Sequence, residues 1–549
     1  MTSLGLPEPE SLSLTEQVAQ LIVVRASGYL FDHQRRYPQW ELNQSSLRHC
    51  IETLGIGGVI LLGGSAAEVG LRSQQLQSWA TVPLLLAADI EEGVGQRFAG
   101  ATQFPPPMAL SAIARHHPQS AQDYAYEMGA ITAREAIAIG LNWLLAPVVD
   151  VNNNIDNPVI NVRAFGDTPA QVSQLSTAYI HGAQQLPVLT TAKHFPGHGD
   201  TAIDSHLHLP EISHSLERLY QIELVPFRSA IAAGVDTVMT AHLMVPAYDQ
   251  QWPATLSSQL LTQLLRQQLN FQGLVVTDAL IMGAITRHYG PYEAAVQAVE
   301  AGADILLMPT DPEGTIEAIA EAIRTGRLDR DRITASVGRI WRAKQKVCHD
   351  LTIPPETCHA WEHSPPPPVQ LAALATPAAR ATLTEILQAS SQVRGQLPPV
   401  ATSTAQTLIL VDDVVNADWL HGAAGAIALP ASLGYDVRLL DERLCRLPLA
   451  AIPLRSTLLQ IFNRGNPFRG AAGLSDYAVE CFHHLLTHGC LAGLVVYGSP
   501  YGFEQLRSDL PADLPYGFTY GQSPESQTVL LTQLLPSQQP VSQPQAFTN

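Results

Sequence analysis

The sequence predicts an α/β protein: an N-terminal (β/α)8 barrel over residues 1–350, a proline-rich linker at 351–370, a second, smaller α/β domain at 371–535 and a disordered tail at 536–549. Three observations carry this reading. At 549 residues the chain exceeds what one ordinary hydrophobic core supports, so two domains are expected. Between residues 12 and 345 short apolar runs alternate with amphipathic helical stretches. Near residue 350 the character changes to Ile353-Pro-Pro-Glu356 and Ser364-Pro-Pro-Pro-Pro368, which suit neither a regular helix nor a central strand and read as a semi-rigid connector.

The apolar runs, in order, are Gln20–Val24, Gly57–Leu62, Pro83–Asp89, Trp143–Asp150, Val188–Lys193, Thr237–His242, Gly273–Asp278 and Asp304–Met308. They are continuous rather than alternating, as strands buried on both faces require. Helices are predicted between them at Ala121–Ile139, Leu216–Ala233 and Tyr292–Ala301. A doubly wound open sheet is the alternative, but no GxGxxG follows a strand. Beyond the linker, Thr407–Asp413, Asp436–Leu440 and Ala492–Tyr497 read as strands, and Phe518–Pro524 as a strand turning into a helix. The Gln/Ser/Pro-rich residues from about Pro536 onward lack the apolar content to order themselves.

Polar residues stand at the ends of successive runs: Asp89, Asp150, Lys193 with His194, His242 and Asp278. Any one aspartate there reads equally as a strand terminator or helix cap, and for Asp150 that plainer reading stays open. As a set they point to one pocket, because a barrel brings all its strand ends to one rim. The densest stretch is Thr191–Pro210, with one lysine, four histidines and two aspartates among glycines and prolines. It reads as a polar loop leaving a short strand at Leu186–Ala192.

Asp278 ends an apolar run and precedes another, so it is expected to be partly desolvated and nucleophilic. Asp204 and His206 lie two apart in the predicted loop, a spacing that lets the carboxylate orient the imidazole and stabilise its protonated form. Such a pair gives up a proton and later takes one back. A nucleophilic carboxylate facing an acid/base is the arrangement of a retaining glycosidase, here with a His-Asp dyad in place of the second carboxylate.

Lys193-His-Phe-Pro-Gly-His-Gly-Asp200 followed by Asp204-Ser-His206 resembles the hallmark of the β-N-acetylglucosaminidase branch of glycoside hydrolase family 3. The resemblance continues in Asp89–Arg97, Asn161–Gly166, Ala241–Pro246 and Gly273–Leu280, in the family's order. It implies a TIM-type barrel, a retaining exo-β-N-acetylhexosaminidase and a terminal N-acetylglucosamine, from peptidoglycan fragments, as substrate. By position it implies Asp278 as nucleophile, His206 as acid/base and Asp204 as its partner. Asp89, Arg97, Arg163, Lys193 and His194 would hold sugar hydroxyls, with Met282 just past the nucleophile. The sequence departs from the pattern at Glu91-Glu-Gly-Val94, where Glu-Gly-Gly is more usual, and at Ala279, where many relatives carry aspartate.

A close variant is phosphorolysis, in which phosphate replaces water beside a histidine rather than a carboxylate, or β-glucosidase action at the same site. A metal-dependent hydrolase would use His194, His198, Asp200, Asp204 and His206 as ligands, and a silent sugar-binding module is a third class. No cofactor and no metal are expected. The formal net charge of −18 argues against nucleic acid or anionic membrane as partner. Six scattered cysteines without a CxxC pair fit reduced, structural thiols. No apolar run approaches the roughly 20 residues of a membrane span. Met1–Glu10 shows neither the basic nor the apolar part of a signal peptide, so a cytoplasmic location is expected, with the oligomeric state open.

Overall fold

The computed structural model describes residues 6–201, 209–347, 368–399, 405–443, 446–465 and 472–536. Residues 351–367 of the proline-rich linker, the tail from 537, and both Asp204 and His206 lie outside the described residues. The chain divides into two compact units, Met1–Leu383 with Gly465–Ala471, and Thr384–Arg464 with Ala472–Asn549.

In the first unit eight short strands are described: β1 (Ile22–Ser27), β2 (Gly58–Leu62), β3 (Leu85–Ala88), β4 (Trp143–Leu144), β5 (Thr191–Phe195), β6 (Thr237–Thr240), β7 (Leu274–Val276) and β8 (Leu306–Leu307). Two parallel ladders hold them, β4-β3-β2-β1-β8 and β5-β6-β7. Two seams join the ladders into a closed ring. At the first, the amides of Leu144 and Val149 donate to the carbonyls of Leu189 and Lys193, each at 2.8 Å. At the second, the Thr277 amide donates to Ile305 at 3.0 Å and the Ile305 amide to Val275 at 3.1 Å. This is a (β/α)8 barrel whose strands are so short that irregular backbone completes the closure.

The barrel interior is filled by side chains. Trp143 Nε1 on β4 donates to the Thr191 hydroxyl of β5 at 2.9 Å, and Thr237 Oγ1 on β6 donates to Thr191 Oγ1 at 2.7 Å, all three residues buried. Strand side chains alternate, so Lys193 stands on the same face as Thr191, one layer nearer the rim. Between strands, helices start where their caps dictate. Ser65 and Glu68 form a reciprocal capping box ahead of Ala66–Trp79. Proline occupies the first position of Pro118–Ala138, Pro169–Ala183 and Pro291–Ala301, where its missing amide costs nothing.

Two local expectations are corrected. The strand expected at Leu186–Ala192, within a run reaching Lys193, lies later, at Thr191–Phe195, so His194 and Phe195 sit in the strand rather than in a loop. Its ladder to β6, pairing Thr191 with Thr237 and Lys193 with Met239, outweighs the polar composition. The single helix expected at Leu216–Ala233 is two, Leu216–Gln221 and Leu224–Ala232, because Ile222 leaves helical geometry with ψ near −73° at φ −125°.

The second unit contains a sheet in the order β11-β10-β12-β13-β14-β9, formed by β9 (Gln392–Arg394), β10 (Ala405–Val411), β11 (Asp436–Asp441), β12 (Ser456–Asn463), β13 (Leu491–Gly498) and β14 (Tyr516–Thr519). β9 pairs antiparallel at the edge and the other ladders are parallel. Sequence reading missed β12, which lies between β10 and β13. Its buried Gln460 looks wrong for an interior strand, yet the amide is satisfied by Thr407 Oγ1, the Ala426 carbonyl and the Tyr497 hydroxyl. Among the described residues no helix is long and apolar enough to cross a membrane.

Candidate active site

The carboxyl ends of β3, β5 and the strand-like segments after β4 and β7 carry the polar residues singled out above. Two buried constellations meet there. The first is built on Lys193, whose side chain is 1% exposed. Its ammonium lies 2.8 Å from Asp89 Oδ1 and 2.6 Å from Glu91 Oε1. Arg163 grips Glu91 with both prongs, Nε to Oε2 at 2.9 Å and Nη2 to Oε1 at 2.8 Å. Arg97 donates from Nε to the Asp89 carbonyl at 2.9 Å.

Charge balance sets the protonation states here. Burial works against the charged form of Lys193, and Asp89 and Glu91 more than reverse it, holding the amine above its usual range. Burial opposes the Glu91 carboxylate too, but Arg163 and Lys193 bring it well below the ordinary value. Asp89 is also lowered, burial being overcome by Lys193 and Arg97. Unlike Glu91, whose side chain is 3% exposed, Asp89 leaves 38% of its side chain open. The cluster thus presents one fixed, ionised carboxylate to the solvent side and keeps its other charges compensated from within.

The second constellation is built on Asp150, whose side chain is fully buried. Its Oδ2 lies 2.7 Å from His194 Nδ1, and its Oδ1 accepts from the backbone amides of His194 at 3.1 Å and His198 at 2.7 Å. Burial raises this carboxyl, but His194 and His198 bring it below its ordinary value. Asp150 is therefore more than a strand terminator. It orients the His194 ring and pins the motif backbone. His198 is buried beside it, with Nδ1 2.8 Å from Thr201 Oγ1, and burial drives its imidazole down to about 4, so it is neutral. Gly199 is required here. A Cβ would stand 1.7 Å from the Val151 carbonyl, so only glycine lets the motif pass this close to the segment after β4.

Asp278 follows β7 and is half-buried, and one of its oxygens accepts from the Ala279 amide at 2.7 Å. It lies within electrostatic reach of His198, which places it on the side of the rim where the motif sits. His242 is buried and bridges the Thr255 hydroxyl at 2.8 Å and the Ala279 carbonyl at 3.0 Å, so it supports the chain just past Asp278. Met282 is 9% exposed and opens the short helix Gly283–Thr286.

Of the residues a metal reading needs, His194 Nδ1 is engaged by Asp150 and His198 Nδ1 by Thr201, while Asp204 and His206 lie outside the described residues. Asp200 faces His214 and Arg218 instead. Sequence reading missed two partners, Glu91 and Asp150. Both were visible as acids near a strand end, but nothing in the spacing paired Glu91 with Arg163 or Asp150 with His194.

Comparison with known proteins identifies the family. Residues 13–343 match the family model described as "Glycosyl hydrolase family 3 N terminal domain", and residues 400–536 that described as "Bacterial Glycosyl hydrolase family 3 C-terminal domain". The chain is similar to Beta-hexosaminidase A of Pseudoalteromonas piscicida, 35% identical over 332 residues that cover 55% of each protein, so it spans about half the length of that relative. A Beta-hexosaminidase of Thiobacillus denitrificans is 37% identical over 302 residues, 54% of this chain and 82% of the relative. Among solved structures, a glycoside hydrolase family 3 beta-N-acetylglucosaminidase from Paenibacillus sp. str. FPU-7 superposes with a TM-score of 0.77 at 30% identity, covering 96% of this chain and 99% of that one.

Proposed function

The chain belongs to glycosyl hydrolase family 3, and from that premise we propose that it is a retaining exo-β-N-acetylhexosaminidase that removes a terminal N-acetylglucosamine through a glycosyl-Asp278 intermediate. The observation that carries the proposal is the Asp89–Lys193–Glu91–Arg163 cluster, at the same carboxyl end of the strands from which Asp278 follows β7. Asp89 offers an ionised, part-exposed acceptor for sugar hydroxyls, held in place by an ammonium only 2.8 Å away. Fixed charge-assisted contacts of this kind orient a neutral sugar and supply the positioning share of the rate. His194, with Nδ1 turned to Asp150, has Nε2 available for a further sugar contact.

In the first step an Asp278 oxygen attacks the anomeric carbon, the glycosidic C–O bond breaks, and His206 gives its proton to the departing oxygen. In the second, neutral His206 takes a proton from water, the water oxygen attacks the anomeric carbon, and Asp278 leaves as carboxylate. Asp204 stabilises the imidazolium between the steps. The similarity to beta-hexosaminidases supports the choice of sugar, and fragments of peptidoglycan in the cytoplasm are the substrate proposed.

The test is release of 4-nitrophenol from aryl β-N-acetylglucosaminide and aryl β-glucoside by the native protein, Asp278→Ala and His206→Ala, with and without phosphate. The N-acetylglucosaminide should be preferred, and Asp278→Ala should lose at least about 10³-fold. Retained turnover in Asp278→Ala would sink the mechanism. Sugar 1-phosphate formed in place of free sugar would turn the assignment to a phosphorylase.

A further inference from the structure

The rim residues described so far come from β3 onward, yet the first strand also brings a charge to the barrel interior. The parallel ladders pair Arg25 of β1 with Ile60 of β2, Ile60 with Ala87 of β3, and Ala87 with Trp143 of β4. Residues paired in this way point to one face of a sheet. Trp143 points into the barrel, where it donates to Thr191, so Arg25 points inward as well. Asp89 stands two residues after Ala87, and its ion pair with the inward-facing Lys193 keeps it on that same side, one layer nearer the rim. Arg25 lies within electrostatic reach of both Asp89 and Arg97.

Aromatic faces hold this guanidinium more than hydrogen bonds do. It lies 5.5 Å from the ring centre of Tyr37 and 5.9 Å from that of Trp40, and the two rings stack on each other. Both rings belong to the segment after β1. That segment is pinned where the Leu42 amide donates to the Arg25 carbonyl at 3.0 Å and Arg35 Nη1 to the Glu41 carbonyl at 2.8 Å. Glu41 is the salt-bridge partner of Arg25 among the described residues, but Nη2 and Oε1 stand 3.8 Å apart, too far for a hydrogen bond. Arg25 Nε and Glu41 Oε1 are both buried and have no hydrogen-bond partner among the described residues. Native interiors rarely leave such groups unmatched, and functional sites are among the places where they do. The Glu41 side chain is fully buried and that of Arg25 is 17% exposed, so the open end of the pair is the guanidinium.

We propose that Arg25 is a further substrate-binding residue, donating to the hydroxyl of the terminal sugar from which Asp89 accepts. A carboxylate and a guanidinium on one hydroxyl engage its proton and its lone pair together, which fixes the sugar more tightly than either alone. The aromatic faces of Tyr37 and Trp40 stabilise the cation without using its N–H groups, which stay available to the sugar. The inference rests on the reading of Asp89 as a sugar-binding residue.

The test pairs variants with substrates. Aryl β-N-acetylglucosaminide and analogues each lacking one hydroxyl are given to the native chain and to Arg25→Met, and kcat/KM and the melting temperature are recorded. Arg25→Met should lose about 10- to 100-fold on the parent glycoside, the worth of one charge-assisted hydrogen bond. For the analogue lacking the shared hydroxyl, the penalty should shrink about 10-fold between the native chain and Arg25→Met, while the other penalties stay within about twofold. Equal penalties in both proteins for every analogue overturn the proposal, whether or not the melting temperature falls. Should Arg25→Met not fold with Glu41 left unpaired, the double variant Arg25→Met with Glu41→Gln carries the same comparison. If the native chain turns over aryl β-glucoside instead, the choice of sugar proposed above fails, and deoxy glucosides put the same question to Arg25. Turnover of neither glycoside overturns both readings.

Discussion

Buried charge stands at both ends of the barrel, and the two ends use it differently. Ahead of β8, Asp304 is fully buried and accepts from Arg266, from Arg339 Nη1 at 3.0 Å, from Arg332 Nη1 at 3.3 Å, from the Ser336 hydroxyl at 2.7 Å and from the Val275 amide at 3.0 Å. Three arginines converge on one carboxylate, and burial pushes Arg266 down to about 10 although Asp304 works the other way. Beyond β3, at the other end, Asp89 is also held by a cation but remains 38% open. Asp278 is likewise only half-buried. A carboxylate whose acceptor positions are all used inward can only hold the fold together. One that is braced on one side and open on the other can take a ligand. In barrels of this kind the amino ends of the strands generally serve stability and the carboxyl ends chemistry, and the site proposed above follows that division.

Three substitutions break or sharpen that contrast. The largest effect is expected for Asp304→Ala, which leaves Arg266, Arg332 and Arg339 facing one another without their shared anion. A loss of about 3–5 kcal/mol in urea unfolding is expected, while turnover per folded molecule stays within about twofold. If turnover collapsed with the fold intact, the amino end would not be purely structural.

Lys193→Met is the mirror experiment. It strips Asp89 of its brace and leaves Glu91 to Arg163 alone. Here the expected loss is about 10²-fold in kcat/KM, equivalent to about 3 kcal/mol of transition-state stabilisation. That loss should exceed what any change in the unfolding midpoint explains. A variant that unfolded easily but turned over normally would erase the distinction between the two ends.

The smallest effect concerns pH. The His198 imidazole is near 4 in the folded protein against an ordinary 6.5, because burial disfavours its charged form. The unfolded chain therefore takes up this proton first as pH falls. The stability contributed is complete above about pH 6.5 and is lost progressively toward pH 4. Between pH 7 and 4.5 that is about 2 kcal/mol, and His198→Gln should remove this part of the pH dependence of urea unfolding. An unchanged slope would mean that His198 does not titrate in this window.

How much of this could be read beforehand differs from element to element. Eight strands in the right order, the side chains at their ends and the presence of a second α/β unit follow from chain-local facts: runs of apolar residues, prolines at helix starts, glycines where the backbone turns. Those signals act within a few residues and survive in one dimension. β12 and the strand character of His194 and Phe195 did not show, because neighbouring strands supplied the reason for them. Gln460 needed Thr407 and Tyr497, and the polar motif needed the ladder to β6.

What the sequence alone determined is the inventory of chemical groups and the rim on which they stand. Tertiary structure decided which of them pair. Glu91 meets Arg163 across 72 positions and Asp150 meets His194 across 44. Strand adjacency and register bring such residues together, and a charge removed from water can keep its ionised form only beside a partner. Pairing is thus fixed by closure of the barrel, a property of the whole chain.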